Sequence, residues 1–140
     1  MDAKNYLSQL FYIDKIVRAD KEEIAKLETL LYGVQGCSFN EKVQSSFKSD
    51  TSKMTGLIDK IDKVKRELLE DITRYMEIRS EIKMTILKVK DEKLKLLLRY
   101  RYIELLTWED VGIKLGDYTL QWIHKLHAKA LKEVEEILNS

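Results

Sequence analysis

The stretch TWEDVGIKLGDYTLQWIHKL, residues 107–126, decides the fold. It contains two threonines, Thr107 and Thr119, whose hydroxyls are suited to cap the first turn of a helix. Two acids follow Thr107 within that turn, where the helix dipole favours negative charge. Gly116 tolerates the left-handed backbone at which helices commonly end, and Asp117 follows it. The stretch therefore predicts a helix, a turn at Gly116-Asp117 and a second helix.

Apolar residues recur at steps of three and four along both predicted helices, a spacing that would bury one face of each. Gly112 has no side chain beyond hydrogen and suits a close crossing of two helices. We therefore expect a packed helical pair. Its buried residues should be Val111, Leu115, Ile123, Leu126, Ala130, Leu131 and Val134.

The other side of the second helix, placed at about residues 119–132, carries amides, aromatic rings and lysines. A DNA recognition helix exposes side chains of these kinds, because amides read base edges and lysines bind phosphates. The sequence thus predicts a helix that enters the major groove. The candidate DNA-contacting residues are Thr119, Leu120, Gln121, Trp122, His124, Lys125 and Lys129.

These candidates have different expected roles. Lys125 and Lys129 should hold phosphates, whereas Gln121 should read an adenine edge in the major groove. Thr119 either contacts a phosphate or caps the helix. His124 is interpreted as a phosphate or base contact.

Two interpretations stay open for Trp122: burial in the core, and a half-buried position at the rim of the DNA. Trp108 is expected to pack at the start of the first helix. His124 and His127 are three residues apart, so they share a side of the helix. Because no third ligand of suitable type lies nearby, we expect no metal site, and we expect His127 to be partly buried.

Charge supports the DNA hypothesis only locally, because the 140-residue chain carries a net charge of +1. Residues 93–132 contain eight Lys or Arg against four acids, a net of +4, and three glutamates follow at 133, 135 and 136. Local basic charge can supply phosphate contacts on a nearly neutral chain. A plain helical hairpin whose lysines are only a solvated face remains the alternative.

The N-terminal part shows the alternating steps of three and four that mark a coiled-coil seam. Asp20 is the polar member of this seam. It either fixes the register of the two helices or marks a point where the helix bends or frays. We favour the bend or fray, because residues 20–23 also resemble a helix start. The seam consists of Leu10, Ile13, Val17, Asp20, Ile24, Leu27 and Leu31.

Periodicity fades over residues 33–52, which contain two glycines and several serines and predict a flexible loop. The lone Cys37 falls in it, and Phe39, Val43 and Phe47 are spaced for a short helix. After this loop, the second long helix of the N-terminal part should run from about Met54 to about Asp91.

The predicted domains are a helical hairpin or coiled-coil assembly region over residues 1–92 and a helix-turn-helix DNA-binding domain over 93–140. We expect the first long helix to fold back antiparallel on the second, in an all-α fold. A homodimer through the N-terminal helices is expected, since paired half-sites give small helix-turn-helix proteins affinity and specificity.

Residues 98–112, LRYRYIELLTWEDVG, resemble region 4 of bacterial sigma factors, and the likeness continues through Leu115-Gly116 and Ala128-Lys129-Ala130-Leu131. The resemblance implies a helix-turn-helix that binds DNA. The match needs one extra residue in the turn, placed at Asp117. The strongly basic start of sigma recognition helices is replaced here by Leu120, Gln121 and Trp122, so promoter specificity does not carry over.

Over nearly its whole length the chain is similar to small phage and prophage regulators of Gram-positive bacteria. These include a largely uncharacterised phage family and, more distantly, the RinA and ArpU-type late transcription regulators. The likeness is carried by the charged N-terminal helix, the Ser-rich middle with Asn40-Glu41-Lys42-Val43, the long second helix and the sigma-like tail. It implies a phage-encoded regulator that binds double-stranded DNA.

The sequence gives little support for other classes of protein. Gly-rich phosphate loops, His-Glu-x-x-His pairs and nucleophile elbows are missing from the sequence, so we expect no enzyme and no cofactor. Without a targeting signal or an apolar run of spanning length, the protein should be soluble and cytoplasmic, with no membrane partner.

Two alternative functions remain. One is an interaction module that contacts RNA polymerase without DNA, and it predicts co-purification that survives nuclease treatment. The other is a DNA-packaging accessory similar to phage small terminase subunits, although that family usually places its DNA-binding part first.

Overall fold

The computed structural model describes residues 2–37 and 44–140, and the side chains of 2–34 and 51–140. Within these residues all regular secondary structure is helical, which confirms the predicted all-α class. The elements in chain order are α1 (Ala3–Leu7), α2 (Gln9–Cys37), α3 (Gln44–Leu87), α4 (Glu92–Leu98), a π-helical turn (Arg99–Ile103), α5 (Trp108–Gly116) and α6 (Leu120–Asn139).

The chain forms two compact units. Met1–Asp14 and Arg74–Ser140 make one, which we call the tail unit, and Lys15–Thr73 makes the other, the coil unit. This division differs from the boundary near residue 92 expected from the sequence. The reason is burial: the first turns of α2 and the last turns of α3 place their apolar side chains in the same core as α4–α6.

The core of the tail unit draws on all of its helices. Leu7 and Leu10 come from the beginning of the chain, Ile82 from α3, Leu97 from α4 and Ile123 from α6, and each has no exposed surface. Burying an aliphatic side chain of this size contributes about 1.5–3 kcal/mol. The core of the tail unit therefore includes the N-terminal segment as well as the later helices.

Helix α3 ends at Leu87, four residues before the predicted end near Asp91. The Asp91 carboxylate accepts hydrogen bonds from the N–H groups of Lys93 (2.9 Å) and Leu94 (3.2 Å), so it caps α4 instead of closing α3. Val89 in the intervening turn is buried. A buried valine and an aspartate cap together explain why the helix breaks here.

The predicted loop over residues 33–52 is largely helical where it is described. Helix α2 continues through Gly33 to Cys37, and α3 begins at Gln44. A glycine costs a helix interior about 1 kcal/mol relative to alanine and does not forbid it. The rest of the predicted loop, with Phe39 and Val43 of the predicted short helix, lies outside the described residues.

In the coil unit, α2 and α3 pair in opposite directions. Leu31 and Ile58 line one depression, whereas Ile24 and Leu68 line another, so later α2 residues meet earlier α3 residues. Glu28 and Lys65 form an ion pair at 4.0 Å between the same helices, and both are exposed enough for it to contribute little. Burial of a few aliphatic side chains holds the pair: Val17, Ile24, Ile61 and Val64.

Asp20 lies in this seam, and α2 continues through it, so neither the fray favoured there nor the helix start that suggested it is observed. Its Oδ2 atom is buried and accepts no hydrogen bond. Loss of hydration raises the pKa of Asp20 to about 6, and the nearby carboxylates of Asp71, Glu67 and Glu23 raise it further. At neutral pH the seam therefore carries an unfavourable charge.

We expect Asp20→Asn to raise the free energy of unfolding at pH 7 by about 1 kcal/mol, a value reduced for solvent screening. Because the pKa is raised in the folded state, the wild type binds this proton more tightly when folded and loses stability as pH rises from about 4 to 6. Urea unfolding of the variant between pH 4 and 7 should lack this decline. Asp59→Asn, an exposed carboxylate of the same unit, is the control. A variant less stable than wild type at pH 7 would contradict the assignment.

Candidate nucleic-acid interface

Threonine hydroxyls begin both helices of the candidate motif. Thr107 Oγ1 accepts a hydrogen bond from the Asp110 N–H at 3.2 Å, and Thr119 Oγ1 accepts one from the Trp122 N–H at 3.2 Å. Both caps were expected from the sequence and are confirmed. Of the two roles expected for Thr119, the structure shows the cap, and the side chain remains exposed to solvent.

The turn between α5 and α6 uses two consecutive left-handed residues. Gly116 has φ of 143° and Asp117 has φ of 56°, so the predicted glycine is followed by an aspartate in the αL region, which Asp tolerates better than most residues. The Tyr118 N–H then donates to the Gly112 carbonyl at 3.1 Å. These contacts end α5 and direct the chain into α6.

Gly112 allows a close approach to α6, as expected, and its nearest neighbour belongs to the turn that precedes α6. A Cβ at this position would lie 2.8 Å from the Tyr118 carbonyl oxygen and 3.5 Å from the Ile123 side chain. The Tyr118 hydroxyl accepts a hydrogen bond from Lys93 Nζ at 2.8 Å, which links the turn to α4. The glycine therefore sets how tightly the turn folds against α5.

We expect Gly112→Ala to destabilise the protein by about 1–3 kcal/mol, because the new methyl group meets a backbone carbonyl that can move only with the turn. The midpoint of thermal unfolding measures the effect. Gly56→Ala is the matched control: a Cβ there meets nothing within 4 Å, so it should be neutral or stabilise α3. Equal effects of the two substitutions would show that the close approach at Gly112 is unimportant.

Helix α6 has two clearly different sides. Its buried side packs against α1, α4 and α5, and its buried residues are Ile123, Leu126, His127, Ala130 and Val134. Three of these, Ile123, Ala130 and Val134, have no exposed surface. The helix is therefore fixed in rotation about its own axis.

All seven candidate DNA-contacting residues are exposed to solvent: Thr119, Leu120, Gln121, Trp122, His124, Lys125 and Lys129. Gln121, Lys125 and Lys129 follow one another at four-residue steps along one side of α6. Trp122 is 42 % exposed and Leu120 44 % exposed, so neither is a core residue. This resolves the two interpretations of Trp122 in favour of a surface position.

A cluster of aromatic rings and His127 lies on the buried side of α6. The Tyr102 hydroxyl lies 2.5 Å from His127 Nε2, and the Trp108 ring centroid lies 4.5 Å from that of His127. Arg101 stacks on Trp108 with its guanidinium carbon 4.4 Å from the ring centroid and donates from Nη1 to the Leu106 carbonyl at 2.8 Å. The sequence predicted packing roles for His127 and Trp108 but not the contacts that join them.

Burial keeps this cluster uncharged at its centre. Loss of hydration lowers the pKa of His127 to about 4, and electrostatic interactions with Lys4, Arg101 and His124 lower it further. Burial also raises the pKa of Tyr102 to about 12. At neutral pH the tyrosine hydroxyl is therefore protonated and donates to a neutral imidazole.

Protonation of His127 should destabilise the tail unit in acid. Since its pKa is lowered by folding, stability falls as pH decreases from about 6.5 to 4, by roughly 3 kcal/mol for this group. His127→Gln should lose this part of the decline, measured by unfolding at pH 7 and pH 4. His124→Gln, at the exposed histidine, should retain it. An identical pH dependence in both variants would contradict a buried neutral His127.

Comparison of the chain with protein-family models, with curated proteins and with solved structures finds no match. Across residues 2–37 and 44–140, none of the helices combines the length and apolar character needed to cross a membrane. The same residues contain no group of three or more His, Cys, Asp or Glu side chains placed to hold a metal ion.

Proposed function

We propose that the chain is a sequence-specific DNA-binding transcription regulator of the phage or prophage late-gene type, with α5 and α6 as a sigma region 4-like helix-turn-helix. The observation that carries the proposal is the exposed side of α6, where Gln121, Lys125 and Lys129 lie in line while the opposite side packs into the core. A helix fixed in this way presents one constant set of side chains to the major groove.

The exposed side chains of α6 have different roles in recognition. Gln121, near the beginning of α6, reads an adenine edge through its amide, which both donates and accepts hydrogen bonds. Lys125 and Lys129 bind phosphates as mobile positive charges and set the position of the helix on the duplex. Trp122 and Leu120 flank this line and make apolar contacts at the rim of the groove.

The proposal includes a homodimer formed through the N-terminal helices. A pair of helices leaves much apolar surface uncovered, and several large apolar side chains of the coil unit are more than two-fifths exposed: Ile16, Leu30, Tyr32, Ile58 and Leu69. A second copy would cover such residues and would place two recognition helices on paired half-sites. Sedimentation equilibrium should therefore give twice the 16.5 kDa chain mass, and a monomer at high concentration would exclude the dimer.

Two single substitutions test the assigned roles in DNA binding. A preferred site is first selected from a pool of random duplexes, and affinity is then measured by fluorescence anisotropy at several salt concentrations. Lys125→Ala should weaken binding to every duplex and reduce the salt slope by about one, because one phosphate contact is lost. Gln121→Ala should relax the preference at one base pair, at a cost of about 1–3 kcal/mol for that pair. Equal, sequence-independent losses from both would contradict these roles.

An apolar groove in the tail unit favours a second candidate, an interaction module that contacts RNA polymerase. Leu87 and Leu96 are 51 % and 39 % exposed and line the groove with three basic side chains, Lys83, Lys95 and Arg99. Glu92 also lines it and pairs with Lys95 at 3.3 Å, so Lys83 and Arg99 supply the excess positive charge. Such a surface fits an acidic amphipathic segment of a partner. Failure of the wild type to bind any duplex, together with polymerase co-purification that survives nuclease treatment, would move the function to this groove.

A further inference from the structure

The turn between α3 and α4 presents two lysines outside the set predicted to contact DNA. Lys88 and Lys90 are both exposed, and Val89 between them is only 1 % exposed. A buried residue between two exposed ones anchors the turn in the core of the tail unit. The two lysine side chains are thereby held at the surface.

Hydrogen bonds fix this turn on both sides. The Lys88 N–H donates to the Thr85 carbonyl at 3.1 Å and the Val89 N–H to the Ile86 carbonyl at 3.0 Å. On the other side, the Lys90 N–H donates to Oε1 of Glu133 on α6 at 2.8 Å. The turn is therefore attached directly to the second half of α6.

This attachment brings lysines from two distant segments together. Lys88 and Lys90 line one shallow depression with Lys129 and Lys132 of α6, and all four are exposed. Glu133 and Glu136 also line it, which leaves a net charge of +2. The Glu133 carboxylate already accepts the backbone bond from the turn, so its oxygens are less available to the lysines.

We propose that Lys88 and Lys90, with Lys129 and Lys132, bind the phosphate backbone of one DNA strand beside the groove that α6 enters. The inference rests on the proposed DNA-binding function and extends its contact surface to a second segment of the chain. Its ligand is the sugar-phosphate backbone, contacted without regard to base sequence.

Helix geometry places Lys132 at a suitable distance from Gln121, the residue proposed to read a base. Gln121 and Lys132 are eleven residues apart, which corresponds to about 16 Å along the helix axis at 1.5 Å per residue. The major groove is about 12 Å wide. When the first turns of α6 contact base edges, its second half has therefore reached the strand that borders the groove, where the α3–α4 turn supplies two more positive charges.

The double variant Lys88→Ala/Lys90→Ala tests the inference. Affinity is measured by fluorescence anisotropy from 50 to 200 mM KCl, on a duplex with the selected site and on an unrelated duplex of equal length. The variant should bind both duplexes about tenfold more weakly, with an unchanged ratio between them and a salt slope shallower by about 1.8. Lys88→Arg/Lys90→Arg should restore the slope, since it keeps both charges.

The matched control is Lys60→Ala/Lys63→Ala, which removes two exposed lysines from α3 in the coil unit and changes the net charge equally. It should leave the salt slope as in the wild type. If it reduces the slope as much as the first variant, the effect is one of net charge and the inference fails.

Two further outcomes separate this inference from the function on which it rests. In the first outcome, Lys88→Ala/Lys90→Ala binds DNA with the wild-type affinity and salt slope, while Gln121→Ala alters the base preference. This result would exclude the turn from the interface and leave the DNA-binding function in place. A wild type without salt-dependent binding to either duplex would overturn both.

Discussion

Burial of the apolar side of α6 is the constraint on which the rest of the tail unit depends. Ile123, Ala130 and Val134 have no exposed surface, so rotating the helix about its axis would bring these side chains into water and bury lysines in their place. Each large aliphatic side chain exposed would cost about 1.5–3 kcal/mol, and each buried lysine would cost more unless it were paired. The side of α6 available to a ligand is therefore set by its core.

The remaining elements of the tail unit keep that side in place. The Thr119 cap and the left-handed pair at Gly116 and Asp117 fix where α6 begins, while the neutral pair of Tyr102 and His127 satisfies the polar groups behind it. A buried polar pair has to be fully hydrogen-bonded to be tolerated, so it also selects one arrangement of the surrounding helices. The side chains that α6 exposes are thus positioned by a core whose buried polar groups favour one arrangement of the helices.

Local chemistry made the helices α5 and α6 and the turn between them predictable from the sequence. Caps at Thr107 and Thr119 and the apolar register of α6 involve neighbours a few residues apart, so a linear pattern reveals them. The pairing of Tyr102 with His127, 25 residues apart, has no such pattern. The same holds for Leu105, which adopts φ of 57° at an unfavourable position for a leucine, and for the break at Val89. Non-local burial decides these features, including the membership of residues 1–14 in the tail unit.

The measurement that tests the account most directly is DNA cleavage from a reagent attached to α6. Cys37 is the only cysteine in the sequence, so Cys37→Ser/Ala128→Cys offers a single attachment point for an iron chelate on the exposed side of α6. If α6 lies in the major groove, cleavage will be confined to a few base pairs within the selected site on both strands. Absence of localised cleavage, or the same pattern from a chelate at Lys60→Cys on α3, would contradict the account.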